Sequence, residues 1–203
     1  MEGIAEIIDR ELTLGINSLH SPATDAFWQF MSGRLPTFAL FATVIVFLIM
    51  RLGWKKGLIV IASCLLCVAA CDQFANLIKA TVHRLRPVND PQMLINGLHV
   101  LEEPGNLYGF FSAHAANVLG VAVCSIIGFS NDKSRSYRGY GIFIICWAVL
   151  VGISRIFVGK HFLGDVLAGF AVGLVFGWVL GVLAKLVIRK TEKPTAPAGS
   201  SPS

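Results

Sequence analysis

Three short clusters in this chain carry residue types that work together on an anion. The first runs from Lys79 through His83, Arg84 and Arg86 to Pro87, the second is Ser112-Ala113-His114, and the third is Ser154-Arg155 followed by His161 and Asp165. Arginine forks pair bidentately with phosphoryl oxygens and lysine adds a point charge, so Lys79, Arg86 and Arg155 together suit a phosphate-bearing substrate. His161 and Asp165 are four residues apart, a spacing that puts both on one face of a helix, where the carboxylate orients and charge-stabilises the imidazole. Such a pair makes an activated nucleophile. His114, on a different element, supplies the second imidazole that a leaving oxygen needs as proton donor.

The elements that must bring these clusters together are read from apolar run lengths. Of 203 residues, 55% are hydrophobic and 14% charged, a balance that excludes an ordinary soluble domain with a charged surface. The net charge of +5 is scattered, so no nucleic-acid footprint is expected. About 20 apolar residues cross a hydrocarbon core, and five such runs are present: 35–53, 58–78, 110–129, 140–157 and 166–188, the fourth being the shortest. The fold class is therefore an all-α, polytopic transmembrane bundle forming one domain over residues 35–190.

Residues 1–34 are interrupted by Glu6, Asp9, Arg10, Glu11, Asn17, His20 and Asp25 and do not read as a signal peptide. Ile4, Ile7, Ile8 and Leu12 recur at helical spacing, and Phe27, Trp28 and Phe30 suit the headgroup level, which predicts two short interfacial helices. The stretch 191–203, rich in Pro, Ser and Ala, reads as a disordered tail.

Lysine and arginine bias fixes the expected orientation. Arg51, Lys55 and Lys56, then Lys133, Arg135 and Arg138, then Arg189, Lys190 and Lys193 fall on one side, which is expected to be cytoplasmic. Lys79, Arg84, Arg86, Arg155 and Lys160 fall on the other, beside polar groups, and look functional rather than topological. With five alternating spans, the end of the second, the start of the third and the end of the fourth share that extracytoplasmic side, so the three clusters converge there. Ionisable groups at membrane depth are costly unless paired or hydrated, which makes each of them a site candidate.

Other features have blander readings. Cys64, Cys67, Cys71, Cys124 and Cys146 lie in apolar runs and read as small hydrophobes, with no zinc set around Cys64 and Cys67. Asp72 and Asn76 read as structural. His83, Arg84, Glu102 and Glu103 are expected at solvent. Gly169, Gly173, Gly177 and Gly181 form a small-residue stripe for close helix approach, either within the bundle or in a dimer.

The three clusters closely resemble the motifs of the type 2 phosphatidic acid phosphatase family, K-x6-R-P, P-S-G-H and S-R-x5-H-x3-D. Here they read Lys79 to Arg86-Pro87, Phe111-Ser112-Ala113-His114, and Ser154-Arg155 to His161 to Asp165; nine of eleven fixed positions agree. The resemblance spans about Asp72 to Phe170. It implies catalysis by His161, His114 and Asp165 through a phosphohistidine, with Lys79, Arg86, Ser112 and Arg155 binding the phosphoryl group and no metal or other cofactor. Phe111 and Ala113 replace the proline and glycine of the second motif; Phe111 could line a wall for a lipid tail, and Ala113 disfavours positive φ.

The implied activity is removal of phosphate from a lipid phosphate or diphosphate at the outer face of the inner membrane. Undecaprenyl diphosphate, phosphatidylglycerol phosphate, phosphatidate and lipid A phosphates all fit, undecaprenyl diphosphate being the first choice. Lipid-to-lipid phosphotransfer and non-catalytic lipid binding or flipping are the alternatives. Membrane lipids are the expected surroundings, and the sequence carries no code for oligomeric state.

Overall fold

The computed structural model describes residues 3–192, so most of the tail expected to be disordered, 193–203, lies outside the described residues. The described chain is helical almost throughout. Two short helices, α1 (Ile4–Asn17) and α2 (Pro22–Ser32), precede α3 (Arg34–Val82). A 3-10 turn at Pro87–Asn89 and the short α4 (Pro91–Ile95) follow, then α5 (Ala113–Phe129), α6 (Arg138–Phe157) and α7 (Leu163–Thr191).

At 1.5 Å per residue a straight α3 would reach about 74 Å, more than twice the hydrocarbon thickness. It does not run straight. Gly53 sits at φ 74°, a left-handed conformation in which glycine has no Cβ penalty, and the helix reverses there. A Cβ on Gly57 would lie 3.2 Å from the Ile49 Cα, so the residues on either side of Gly53 pack back to back. Residues 34–52 and 54–82 are thus two antiparallel arms, corresponding to the first two expected spans.

By length and apolar composition α3, α6 and α7 each suffice to cross a membrane, and α5 is a shorter apolar helix. The two arms of α3 with α5, α6 and α7 give five rods. The shortest is α5, 17 residues or about 25 Å, and not α6, which has 20. The sequence reading erred there because Phe110 and Phe111 extend the apolar run without being helical; the helix starts only after Ser112.

The core is built from both α3 arms, α5, α6 and α7, with Leu48, Val60, Cys124, Phe129, Ile144 and Ile188 buried at its centre. The small-residue stripe of α7 faces α5. A Cβ on Gly173 or Gly177 would stand 2.3 and 2.4 Å from the Ala116 and Gly120 carbonyl oxygens, so the stripe serves packing inside the chain. The interior cysteines Cys64, Cys67, Cys71 and Cys124 are buried as free thiols, while Cys146 is exposed on α6.

Polar ties confirm which helix ends share a face. At one end Arg51, before the reversal, meets Asp132 and Tyr137 from the α5–α6 link, and Lys56 pairs with Glu192 after α7. The opposite end gathers the close of α3, the starts of α5 and α7, the close of α6 and both N-terminal helices.

Candidate active site

The first and second clusters are joined through their backbones. After α3 ends, Leu85 pairs with Tyr108 in an antiparallel bridge, the Arg86 N–H donates to the Leu107 carbonyl at 3.0 Å, and the Gly109 N–H to that of Arg84 at 2.8 Å. Gly109 fits because it lacks a side chain: a Cβ would lie 2.9 Å from Arg86 Cγ and 3.3 Å from Asp165 Oδ2. The second cluster is tied to the third by the Ser112 N–H, which donates to the Asp165 carbonyl at 3.0 Å. The α6–α7 link joins the first cluster in turn, since the Val88 N–H donates to the Gly159 carbonyl at 3.1 Å.

These ties enclose a cavity of about 400 Å³ lined by Lys79, Arg86, His114, Arg155 and His161, together with Ser32, Arg34, Glu102 and Lys160. Both imidazoles and all three cations of the motifs therefore face one space. Its charge is lopsided: five cations, Arg34, Lys79, Arg86, Arg155 and Lys160, against the single carboxylate of Glu102. Arg155 is buried and donates to the Ser32 carbonyl at 2.9 Å and to the Ser32 hydroxyl, yet its buried Nε has no acceptor. Glu102 stands 3.8 Å from both Arg155 and Lys160 and accepts a hydrogen bond from the Ser32 hydroxyl at 2.5 Å. Lys160 also donates to the Glu103 carbonyl. An anion with several oxygens would supply what Arg155 lacks and balance the surplus.

His161, 3% exposed, sits in the link before α7, with Nδ1 3.3 Å from Asp165 Oδ2. Burial first, and then the cations of Arg155, Arg86, Lys79 and Lys160, hold its pKa well below the ordinary imidazole value, so the ring is neutral. A neutral ring that gives its Nδ1–H to the carboxylate has an unprotonated Nε2 to act as nucleophile. Burial also lowers the pKa values of Arg86 and Lys160.

Asp165 does not line the cavity; it stands behind His161, fully buried and shared among three donors. Besides His161, its Oδ2 accepts from the Phe162 N–H at 3.1 Å and its Oδ1 from Arg84 at 2.8 Å. The other arm of the Arg84 fork reaches Asp9 at 2.7 Å, and the guanidinium lies 4.0 Å from the Phe162 ring centroid. Asp9 also accepts the Gly164 N–H at 2.7 Å, and Thr13 accepts that of Leu163 at 2.9 Å. Thus α1 caps the first turn of α7, satisfying N–H groups that a helix start leaves without partners, and fixes the carboxylate that orients His161.

Two expectations are corrected here. Arg84 and Glu102, assigned to solvent, are part of the site, because tertiary contacts with α1, α2 and α7 draw them in. Phe111 lines no tail-accepting wall: it is buried among Cys67, Cys71, Ala75 and Ala116. Its neighbour Phe110 instead lines an open apolar groove with Ile8, Leu12, Val82, Leu163 and Leu167. Ser112 is fully buried, is absent from the cavity lining, and caps α5 by accepting the Ala115 N–H at 3.4 Å. Ala113 starts α5 without positive φ, so the glycine it replaces is not needed for backbone freedom at this position. Asp72 accepts from the Asn117 amide at 2.8 Å, a bond between α3 and α5 that agrees with its structural reading.

The sequence reading missed Arg34, Ser32 and Asp9. Asp9 had a legible signal: with Thr13 and Asn17 it makes a polar stripe of period four on a helix whose Ile4, Ile7, Ile8 and Leu12 form an apolar one. That stripe faces the protein, while Ile4, Ile7, Ile8 and Leu12 are exposed.

Comparison with known proteins gives the chain a family and relatives. Residues 61–188 match the family model described as the PAP2 superfamily, a stretch that contains every motif residue. The chain is 29% identical over 194 residues to a lipid A 4'-phosphatase of Bacteroides thetaiotaomicron, covering 95% of this chain and 84% of that one. It is 31% identical over 180 residues to a lipid A 4'-phosphatase of Porphyromonas gingivalis, covering 87% and 72%. A phosphatidylglycerophosphatase B of Bacillus subtilis is 31% identical over 139 residues, 64% of this chain and 61% of that one. Among solved structures, a transmembrane PAP2-type phosphatidylglycerolphosphate phosphatase from Bacillus subtilis has the same fold, with a TM-score of 0.71 at 21% identity, covering 95% of this chain and 90% of that one. Aquifex aeolicus LpxE gives a TM-score of 0.59 at 19% identity, covering 87% and 93%. By its family match, its relatives and its fold, the chain belongs to the PAP2 superfamily and is an integral membrane phosphatase.

Proposed function

We propose that the protein hydrolyses a phosphomonoester on a lipid headgroup, at the extracytoplasmic end of the bundle, through a phosphohistidine on His161. The observation that carries this reading is the single cavity holding two imidazoles and five cations against one carboxylate. Arg86, Arg155 and Lys79 hold the phosphoryl oxygens, and the unpaired Nε of Arg155 gains its acceptor from one of them. His161 Nε2 attacks phosphorus while Asp165 takes the developing charge on the ring through Nδ1. The bond from phosphorus to the lipid oxygen breaks, and His114 delivers its proton to that oxygen. Water then attacks the P–N bond, His114 takes a proton from the water, and inorganic phosphate leaves with His161 restored. The fixed cations supply the charge stabilisation, so the reading needs no metal at phosphorus. Ser112 acts by holding the start of α5, which carries His114.

A lipid substrate follows from position. The cavity opens at the ends of the spans, where a headgroup can enter while its tails stay in the bilayer. Of the four lipids named above, undecaprenyl diphosphate gains no support from the relatives. Two relatives, matched over 84% and 72% of their own length, are lipid A 4'-phosphatases by name, which puts a lipid A phosphate first. Extracytoplasmic placement, in the inner membrane, rests on the Lys and Arg bias of the opposite end.

The test is phosphate release in detergent from lipid A, phosphatidylglycerol phosphate, phosphatidate and undecaprenyl diphosphate, with His161→Ala alongside. Release fastest from lipid A, with an acid-labile and base-stable phosphoenzyme present only in the parent protein, is the expected result. Turnover retained by His161→Ala overturns the mechanism, and a strict need for an acceptor lipid overturns hydrolysis.

A further inference from the structure

The α1–α2 corner carries a second cluster of ligand-type side chains that the phosphatase cavity does not use. His20 lies in the link between α1 and α2, Asp25 in the first turn of α2, and His99 in the loop after α4. The His20 and His99 rings stack with centroids 3.6 Å apart and planes 7° from parallel, and His99 Nε2 stands 3.0 Å from Asp25 Oδ2. One ligand atom from each residue falls within 4.8 Å of the other two, the only such group among the described residues. None of the three lines the phosphate cavity.

Two atoms of this cluster lack a partner. His20 Nδ1 and Asp25 Oδ1 are buried with no hydrogen bond, in a region where the neighbouring polar groups are matched. Asn17 accepts the His99 N–H at 2.8 Å and donates to the His99 carbonyl at 3.0 Å, and Gln29 donates to the Leu101 carbonyl at 2.7 Å. A buried imidazole nitrogen and a buried carboxylate oxygen left unpaired in one such cluster are what a cation would satisfy.

We propose that His20, Asp25 and His99 bind a divalent transition-metal ion of the zinc class. Two imidazoles and one carboxylate are the donor set that such ions take, whereas magnesium and calcium favour all-oxygen shells. Three protein ligands leave the fourth tetrahedral position to water. Bonds of about 2.0–2.1 Å set tetrahedral donors about 3.3 Å apart, so the 3.0 Å His99–Asp25 pair is already close to the required spacing, while the stacked imidazoles, whose nitrogen lone pairs lie in nearly parallel planes, must tilt so that both planes meet at the ion. The ion replaces the proton that joins His99 to Asp25. Its role is structural: it staples the N-terminal corner to the segment whose Glu102, three residues beyond His99, faces Arg155 and Lys160 in the cavity.

The test uses the full chain without a polyhistidine tag, purified in detergent, stripped with EDTA and desalted. Co²⁺ is added while visible absorption is recorded, and Zn²⁺ is then added in competition. About one Co²⁺ per chain with the strong visible bands of a tetrahedral site, displaced by Zn²⁺, is the expected result, with a thermal midpoint that rises with Zn²⁺ concentration. Asp25→Asn, which keeps the shape, and His20→Phe, which keeps the ring stack, each weaken binding at least about tenfold, the scale by which even neighbours of the ligands matter. His161→Ala leaves binding unchanged. Absence of Co²⁺ bands in the parent protein, parent-like binding by both Asp25→Asn and His20→Phe, or loss of binding in His161→Ala overturns the site. None of these readouts depends on which lipid is hydrolysed, so failure here is distinguishable from failure of the phosphatase mechanism.

Discussion

The two ends of the bundle use charge in opposite ways. At the end that holds Gly53, cations are either paired or open to solvent: Arg51 lies 3.6 Å from Asp132, Lys56 pairs with Glu192, and Lys55, Lys133, Arg135, Arg138, Arg189 and Lys190 are exposed. At the other end five cations line one cavity with a single carboxylate, three of them, Arg86, Arg155 and Lys160, are buried, and a buried Arg155 nitrogen is left without an acceptor. Paired surface charge contributes little and costs little. Unpaired buried charge is costly, and a protein that retains it keeps the cavity ready for an anion of matching shape, in line with catalysis by preorganised electrostatics. The contrast predicts that substitutions at one end abolish turnover while equally polar substitutions at the other leave it alone.

The largest effect falls on His161. His161→Ala removes the nucleophile and lowers kcat by on the order of 10³-fold or more, read as phosphate release and as loss of the trapped phosphoenzyme. The pH dependence sharpens the point. Because burial and the surrounding cations disfavour the charged ring, acid must go below the ordinary imidazole value of about 6.5 before the free enzyme's nucleophile is protonated. The acid limb of kcat/KM, corrected for the substrate's own ionisation, is therefore expected below pH 6.5; a limb centred above it shows a solvated or anion-paired ring. Asp165→Asn ranks next, with a loss of about 10²- to 10⁴-fold concentrated in kcat, since the amide no longer stabilises the imidazolium.

A middle-sized effect tests whether the orienting chain continues outward into α1. Asp165 is held by Arg84, and Arg84 by Asp9, which also caps α7 at Gly164. Arg84→Ala and Asp9→Asn are each expected to lower kcat about 10- to 100-fold with KM little changed, the range seen when the group behind an orienting ligand is lost. The double variant should cost little more than the larger single one, because the two act in series. Multiplicative losses would show that Asp9 supports the site only by holding α7.

Much of this was legible in the residues themselves. Lys79, Arg86, His114, Arg155, His161 and Asp165 announce themselves by type and spacing, and apolar run lengths give the five rods, with Gly53 falling where the first run ends. What was illegible depends on contacts between distant segments. Ser32, Arg34 and Glu102 enter the cavity because α2 packs on α6 and the loop before α5 folds over both, and no periodicity encodes that docking. Arg84 looked like loop filler because its partners, Asp9 and Asp165, lie 75 and 81 residues away. The start of α5 departs from the apolar run for a local reason: Phe110 and Phe111 are as apolar as a span, but their backbone bends between the Leu85–Tyr108 bridge and the first residue of α5.

The smallest expected effect completes the comparison at the paired end. Asp132 accepts from the Ser134 hydroxyl, the Tyr137 hydroxyl and the Ser134 N–H, with Arg51 nearby, and these bonds, the Ser134 hydroxyl foremost, pull its pKa down to about 2. A carboxylate whose folded-state pKa lies below its unfolded value adds stability above the unfolded value and loses it as pH falls toward the folded one. Asp132→Asn should therefore lower the thermal midpoint slightly at pH 7, with the difference from the parent shrinking as pH drops from about 4 toward 2. Turnover should stay within about twofold of the parent at pH 7, because no charge in the phosphate cavity has changed and fields from the far surface are screened within about 10 Å in ordinary salt. A tenfold fall in turnover from Asp132→Asn would mean that the helices transmit strain from one end to the other, and that the division between a paired end and a reactive end is wrong.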